Sequence, residues 1–286
     1  MRTLLAAWAV LLLTACQKYE VPEPEPEPPV VDDGRDPALA MGNPSAAVAS
    51  IVIPTNYLIE HPQYSLAYDN SRGTARWVSW HLAPAWLGDA ERCDCFVPDP
   101  LVPDGYYTVY GSTYLGTGFD RGHICPSADR VANDADNAAT FLMTNMLPQA
   151  PALNQGRWVD LEIFCRSLVY DGNELYIVSG GYGNGGEGSQ GYASTLDNGN
   201  ITVPARCWKV MLVLPLGNDD LDRVDADTRL IAVDMPNDQG ANALQWYEYR
   251  VSVDQIEGAT GLDFFSALPE ALQDQLEGSV DTGPVQ

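Results

Sequence analysis

The chain has 286 residues, of which 39 are acidic and 15 are basic, and its formal net charge is -24 at pH 7. Hydrophobic residues make up 45% of the chain, which is enough to bury a core and excludes a wholly disordered protein. The negative charge excludes nucleic-acid binding through a broadly basic surface, so recognition of a phosphate requires a local group of arginines or a metal ion.

The first residues have the pattern of an export signal. The apolar run Leu4–Leu13 is too short to span a bilayer comfortably, and the ending Leu13-Thr14-Ala15-Cys16 resembles a bacterial lipobox. We therefore expect a lipoprotein signal peptide over 1–15, and an exported protein that a lipid on Cys16 anchors to a bacterial membrane, on the periplasmic side or at the cell surface. The alternative is an ordinary signal cleaved at a nearby small residue, with Cys16 spare.

Prolines and glutamates alternate after this signal, over residues 19–29. Such a segment cannot pack, and its like charges extend the chain. We predict a Pro/Glu-rich tether over 16–44, one folded domain over 45–270 and an acidic, flexible tail over 271–286.

Apolar patterns within the domain predict the strands of one central sheet. Tyr64–Tyr68 and Arg76–Leu82 alternate around turn residues and predict a hairpin. Further strands are predicted at Glu174–Gly180, Cys207–Leu216 and Arg229–Val233, with a Gly-rich loop over 180–191. The continuous apolar character of Cys207–Leu216 predicts a buried, central strand.

One helix is predicted from apolar residues at helical spacing. It covers Asn154–Leu168, with Asn154 as its N-cap. Strands with a helix between them indicate a mixed α/β or α+β domain around one sheet.

The chain contains three histidines, His61, His81 and His123, and a lone histidine is usually structural. His123 differs because it lies in a Gly-containing segment, two residues after Arg121, which puts both side chains on one side of an extended chain. An arginine that neutralises charge, next to a histidine that moves a proton, suits a phosphodiester substrate.

Two further motifs follow, Thr144–Gln149 and Asn154–Trp158. Glu162 and Arg166 continue at steps of four, so they share a polar face of the predicted helix. A solvated polar face is the alternative interpretation of this spacing.

These motifs in this order resemble the DNA/RNA non-specific endonucleases, the sugar-non-specific nucleases with a ββα-metal unit. The resemblance covers Tyr64 to Leu268 and includes Asp120-Arg121-Gly122-His123, Thr-Asn-x-x-Pro-Gln and Asn154-Gln155-Gly-x-Trp158. It implies an α+β fold: a single ββα-metal nuclease domain with a central, mostly antiparallel sheet flanked by helices.

The resemblance also implies roles for individual residues. His123 matches the general base that activates water, and Asn154 matches the protein ligand of a catalytic Mg²⁺, with Mn²⁺ as the other ion considered. Glu162 matches a carboxylate that hydrogen-bonds metal-bound water, and Asn145 matches an asparagine that supports the histidine and the metal. The matching active-site arginines are Arg121, Arg166 and, in a poorly matched segment, Arg92.

The implied activity is endonucleolytic hydrolysis of DNA and RNA to 5′-phosphate and 3′-hydroxyl ends. The alternatives are a catalytically inactive, surface-tethered binding lipoprotein on the same fold and a phosphodiesterase for small nucleotides. The presence of His123, Asn154 and Glu162 favours the active nuclease. The sequence identifies no protein partner.

The six cysteines allow at most two intramolecular disulfides if Cys16 is lipidated, because five is an odd number. Cys93 and Cys95 are expected to pair elsewhere because they are so close in sequence. Cys125 is either a clamp on the histidine motif or a small buried thiol.

Overall fold

The structure is a computed structural model, and it describes residues 34–285. The predicted signal peptide, the predicted lipid attachment at Cys16 and residues 16–33 of the predicted tether lie outside the described residues. The strands, numbered β1 to β13 in chain order, are Tyr57–His61, Tyr64–Asp69, Thr74–Leu82, Asp120–His123, Met146–Gln149, Asn173–Tyr182, Gly186–Gly188, Gly191–Ala193, Thr195–Leu196, Ile201–Thr202, Arg206–Pro215, Arg229–Pro236 and Arg250–Val251. The α-helices α1 to α5 are Asp134–Ala139, Trp158–Tyr170, Asp220–Arg223, Val253–Thr260 and Glu270–Glu277. No helix among these residues is long and apolar enough to cross a membrane.

Seven strands form one antiparallel sheet in the order β1-β2-β3-β6-β11-β12-β13. The predicted hairpin is confirmed as β2 and β3, and the predicted buried strand is β11, which pairs with β6 on one side and β12 on the other. The predicted Gly-rich loop over 180–191 is partly strand, because β6 continues to Tyr182 and β7 and β8 form a short hairpin. The α+β class with a mostly antiparallel central sheet is therefore confirmed.

Alternate residues of β11 face two separate cores. Met211 packs with Trp158 and Leu161 of α2, while Trp208 on the other face packs with residues of α4 and α5, including Ile256. Since successive side chains of a strand point to opposite faces, the sheet separates α2 from the α4 and α5 pair.

The helix that contains the polar motif begins differently from the prediction. A wide, π-helical turn, Leu153–Arg157, precedes α2, and the N–H of Asn154 already donates to the Ala150 carbonyl at 2.9 Å. Asn154 is therefore not an N-cap. Gly156 leaves the helical conformation, and the Asn242 side chain approaches it so closely that a Cβ atom there would clash.

The ends of the domain also differ from the prediction. Met41 is buried, so the segment directly after residue 33 packs on the domain instead of continuing the tether. The predicted flexible tail instead contains most of α5, and Asp281 accepts hydrogen bonds from Arg229 and Arg250. The buried Leu276 of this helix and the two ion pairs hold the segment in place despite its acidic composition.

Candidate active site

Two short strands and one helix assemble the polar motifs into one site. β4 pairs antiparallel with β5, which puts His123 opposite Met146, and α2 follows directly in the chain. Gly122 lies under the side chain of Gln149, where a Cβ atom would clash, so glycine is required for this pairing. A cavity of about 400 Å³ lies between these elements. Six of the predicted site residues line it: Arg92, Arg121, His123, Asn154, Glu162 and Arg166.

His123 lies against aromatic rings at one wall of the cavity. Its ring centroid is 4.7 Å from that of Phe141, and its Nε2 atom is buried without a hydrogen-bond partner among the described residues. Burial, together with the charges of Arg92 and Arg121, lowers the pKa of His123 to about 3. The imidazole is therefore neutral near pH 7, and Nδ1 is the ring nitrogen left to face the cavity.

The three arginines differ in their partners. Arg92 donates to Asp94 and Ser127, each at 2.7 Å, and Arg166 donates to Asp129 at 2.8 Å. Arg121 stacks 3.8 Å above the Phe96 ring and takes part in none of the ion pairs found within residues 34–285. Its guanidinium charge is thus the most available to an incoming phosphate.

Asn154 is oriented by a residue to which the sequence assigned no role. Its Nδ2 donates to Asp120 Oδ2 at 2.9 Å, and Gln155 donates to the same oxygen at 2.8 Å. The amide oxygen of Asn154 accepts no hydrogen bond from the described residues. An amide oxygen is a hard donor of the kind that suits Mg²⁺ or Mn²⁺, and the Glu162 carboxylate lines the same cavity.

Glu162 lies one helical turn before Arg166 and is paired with a buried lysine from the central sheet. Lys209 Nζ is 3.9 Å from Glu162 Oε1, and the lysine side chain is 1% exposed. The ammonium also lies over the rings of Trp158 and Trp80, at 4.8 and 5.3 Å from their centroids. Burial raises the pKa of Glu162 to about 7, against the opposing charge of Lys209.

Asn145, predicted to support the histidine and the metal, does not itself line the cavity but lies behind the segment that follows His123. The side chain is completely buried and binds the backbone of Cys125 twice, accepting from its N–H and donating to its carbonyl, both at 2.9 Å. It donates to Thr140 as well, at 2.9 Å. Asn145 therefore holds the loop that follows His123, because one side-chain amide pairs with both the N–H and the carbonyl of Cys125.

The cysteine predictions are partly wrong. Cys93 and Cys95 form a disulfide with each other, because Asp94 between them takes a left-handed conformation that brings the two Cα atoms to 5.1 Å. Cys125 is a buried free thiol, as are Cys165 and Cys207. The small 93–95 ring directly follows Arg92 and restricts the backbone that presents this arginine to the cavity.

Two other groups of side chains have the spacing of a metal site. In the first, Asp36, His81, Glu174 and Asp220 have ligand atoms within 4.8 Å of one another. There His81 contacts Glu174 at 3.1 Å and Arg223 pairs with Glu174 at 2.6 Å, so the acidic atoms already have partners. The second group, Asp254, Glu257 and Glu277, joins α4 to α5. Neither group lines the cavity at His123.

The fold and the cavity define a ββα-metal nuclease: two antiparallel strands and a helix present a histidine, an asparagine and arginines to one groove. The family model described as DNA/RNA non-specific endonuclease matches residues 44–271. The chain belongs to this family and is a nucleic-acid hydrolase with endonuclease activity.

Individual relatives agree with this assignment. The chain is 48% identical over 243 residues to a protein named nuclease from Nostoc sp., and the match covers 85% of each chain. It is 33% identical over 215 residues to the mitochondrial nuclease EXOG of Danio rerio, covering 73% of this chain and 60% of the relative. Among solved structures, a chain of the EndoG/EndoGI complex superposes with a TM-score of 0.67 at 21% identity, over 84% of this chain and 93% of that one, which shows the same fold.

Proposed function

We propose that this protein hydrolyses the phosphodiester bonds of both DNA and RNA with Mg²⁺ or Mn²⁺, leaving 5′-phosphate and 3′-hydroxyl ends. The observation that supports this most directly is the convergence of a neutral histidine, three arginines and an unpaired amide oxygen on one cavity. The family's description as DNA/RNA non-specific endonucleases supports both nucleic acids as substrates.

His123 serves as the general base. The neutral imidazole accepts a proton from water through Nδ1, while the Phe96 and Phe141 rings hold the ring plane. A phosphate between Arg92 and Arg121 offsets the two charges that depress the pKa of His123. Substrate binding therefore moves this pKa upward, toward the range in which a base is effective at neutral pH.

Asn154 would hold the metal ion through its amide oxygen, because its Nδ2 is taken by Asp120. An ion held there would supply positive charge that stabilises the phosphate in the transition state. Glu162 orients solvent near the site through its carboxylate. Arg92 and Arg121 stabilise the additional negative charge of the pentavalent phosphorus.

Substrate extends into a second cavity that shares Arg92, Arg121 and Asn154 with the first. This cavity of about 410 Å³ is open and also lined by Phe96, Tyr114, Ser189 and Gln190. The two together form a groove rather than a closed pocket, which favours a polymer over a small nucleotide. An inactive binding lipoprotein is the second candidate for the function, but nothing in the groove favours it over the nuclease.

We further propose that the domain works outside the cytoplasm, held to a membrane through Cys16. Support for this comes from the apolar run and the Leu-Thr-Ala-Cys sequence at residues 4–16.

The proposal is tested with plasmid DNA, single-stranded DNA and RNA, each with MgCl₂ and with a chelator. His123→Ala should lower turnover by about 10²–10⁴-fold or more while leaving DNA binding intact, because the base alone contributes that much. Asn154→Ala should remove metal-dependent cleavage. Tyr170→Ala, at the exposed end of α2, is the matched control and should cleave like the unmodified chain. Cleavage by His123→Ala at the unmodified rate would refute the assignment of the base.

A further inference from the structure

Three carboxylates meet between α4 and α5, on the face of the sheet opposite to α2. Asp254 and Glu257 lie three residues apart on α4, and Glu277 is the last residue of α5. Each contributes a carboxylate oxygen, and these three oxygens all lie within 4.8 Å of one another. Ionised carboxylates at this distance repel one another, and a cation between them would relieve that repulsion.

Glu277 is the member of this group that most needs a ligand. The residue is only 5% exposed, and its Oε1 atom is buried with no hydrogen-bond partner in the described part of the chain. A buried carboxylate oxygen without a hydrogen-bond donor destabilises the fold, and a bound cation would offset that cost.

No basic side chain within residues 34–285 forms an ion pair with this group. None of the ion pairs found within residues 34–285 includes Asp254, Glu257 or Glu277. The nearby carboxylates of Asp263 and Asp274 add further negative charge. The C-terminal end of α5 also lies against the group, since a Cβ atom on Gly278 would be 3.6 Å from Asp254 Oδ2. The helix dipole places partial negative charge at this end, so it does not neutralise the carboxylates.

Contacts with the core hold α4 and the Glu257 side chain in place. Ser252 caps α4 through the N–H of Gln255, and Glu257 Oε1 accepts a hydrogen bond from the N–H of Phe264 at 2.8 Å. Phe264 is completely buried and packs against Trp208 of the central sheet, with ring centroids 5.1 Å apart. Glu257 and Glu277 are therefore fixed by the fold, while Asp254 completes the group from an exposed position on α4.

We propose that Asp254, Glu257 and Glu277 bind a Ca²⁺ ion that ties α5 to α4. Three carboxylates offer up to six oxygens, and Ca²⁺ takes about 6–8 oxygen ligands, with waters completing the shell. Mg²⁺ is usually held by one or two carboxylates, and the absence of histidine and cysteine from this group disfavours Zn²⁺ and Cu²⁺. The ion has a structural role, separate from the metal proposed at Asn154.

The site can be tested without measuring nuclease activity. The full chain carrying Asn154→Ala, freed of metal with a chelator, is titrated with CaCl₂ by calorimetry, so that the candidate catalytic metal ligand does not contribute. We expect one Ca²⁺ per chain, in the roughly 10⁻⁴–10⁻³ M range of extracellular sites, and a rise in melting temperature that equal MgCl₂ does not produce.

Glu277→Gln and, separately, Asp254→Asn should weaken Ca²⁺ binding by about tenfold or more and remove the rise in melting temperature, because each removes one charged ligand. Glu270→Gln, an exposed residue at the start of the same helix, is the matched control and should bind as before. Glu277→Gln keeps the size of the side chain and removes a buried charge, so it should fold. An unchanged Ca²⁺ affinity in both ligand variants, or no binding by the parent at millimolar CaCl₂, would overturn the proposal.

Discussion

The buried lysine beside Glu162 offers a sharp test of how the site is tuned. Lys209 is one of two lysines in the chain, and its ammonium lies between Trp80, Trp158 and the Glu162 carboxylate. Replacing Lys209 with Met keeps a long, apolar side chain between the two indole rings and removes the charge. We expect the variant to fold, and its Glu162 to hold a proton more tightly.

The size of the effect follows from the distance. Two unit charges about 4 Å apart interact by about 4 kcal/mol at an effective dielectric constant of about 20. One pKa unit corresponds to about 1.4 kcal/mol, so loss of Lys209 raises the pKa of Glu162 by roughly one to three, allowing for relaxation. Glu162 already has its pKa raised to about 7, so in the variant the carboxyl group is mostly protonated at neutral pH.

The direction of the pH dependence is fixed by which form is active. In the proposed mechanism Glu162 acts as a carboxylate, so activity rises with pH through its pKa. His123 of the free enzyme, with its pKa lowered to about 3, stays neutral over the whole assay range. The acid limb of kcat/KM should therefore move to higher pH by about one to three pH units in Lys209→Met. Activity at pH 7 should fall about tenfold or more and recover near pH 9.

The assay is kcat/KM on a fluorescent oligonucleotide between pH 5.5 and 10, at constant ionic strength and saturating MgCl₂. Lys209→Arg keeps the charge and is the matched control, with an acid limb close to that of the parent chain. In a Glu162→Gln background, Lys209→Met should have no further effect on the shape of the profile. An acid limb that stays in place in Lys209→Met would refute the role of this charge.

Three further predictions address the support of the site, the cysteines and the surface charge. Asn145→Ala leaves the backbone N–H and carbonyl of Cys125 without their side-chain partner. Chemical denaturation should show a loss of about 2–4 kcal/mol of unfolding free energy, and turnover should also fall. Unchanged stability would contradict the assigned hydrogen bonds. Thiol counting on denatured, unreduced chain carrying Cys16→Ser should find three free thiols, at Cys125, Cys165 and Cys207; five would exclude the disulfide between residues 93 and 95. Salt screens the repulsion among the charges of this chain, whose net charge is -24, and the repulsion between the chain and a polyanion. Activity should therefore persist or rise between about 0.1 and 0.5 M NaCl. A steep loss of both rate and melting temperature would refute this.

Local patterns in the sequence were sufficient for the hairpin of β2 and β3, for the buried strand β11 and for the polar motifs that line the cavity. Each of these depends on residues close together in the chain: strand alternation, a continuous apolar run, or Arg121 and His123 two residues apart. The family resemblance then indicated which polar residues meet, and the structure brings six of the seven to one cavity.

Where local pattern and tertiary contact compete, the sequence was misleading. Its acidic composition predicted a flexible end, but Leu276 is buried and Asp281 is held by two arginines from distant strands. Asparagine is a residue type that often caps helices, but the Asn242 side chain lies against Gly156 in the turn that follows Asn154. The side-chain amide of Asn154 donates to Asp120 instead.

The sequence by itself thus determined the class of fold, the chemistry of the site and the residues available to perform it. Only the tertiary structure decided the electrostatic state of those residues, because pKa values depend on burial and on charges that are remote in the chain. Lys209 reaches Glu162 from a central strand, and Glu277 meets Asp254 and Glu257 from a separate helix. Such contacts leave no periodicity in the sequence, since they arise from the packing of whole elements against one another.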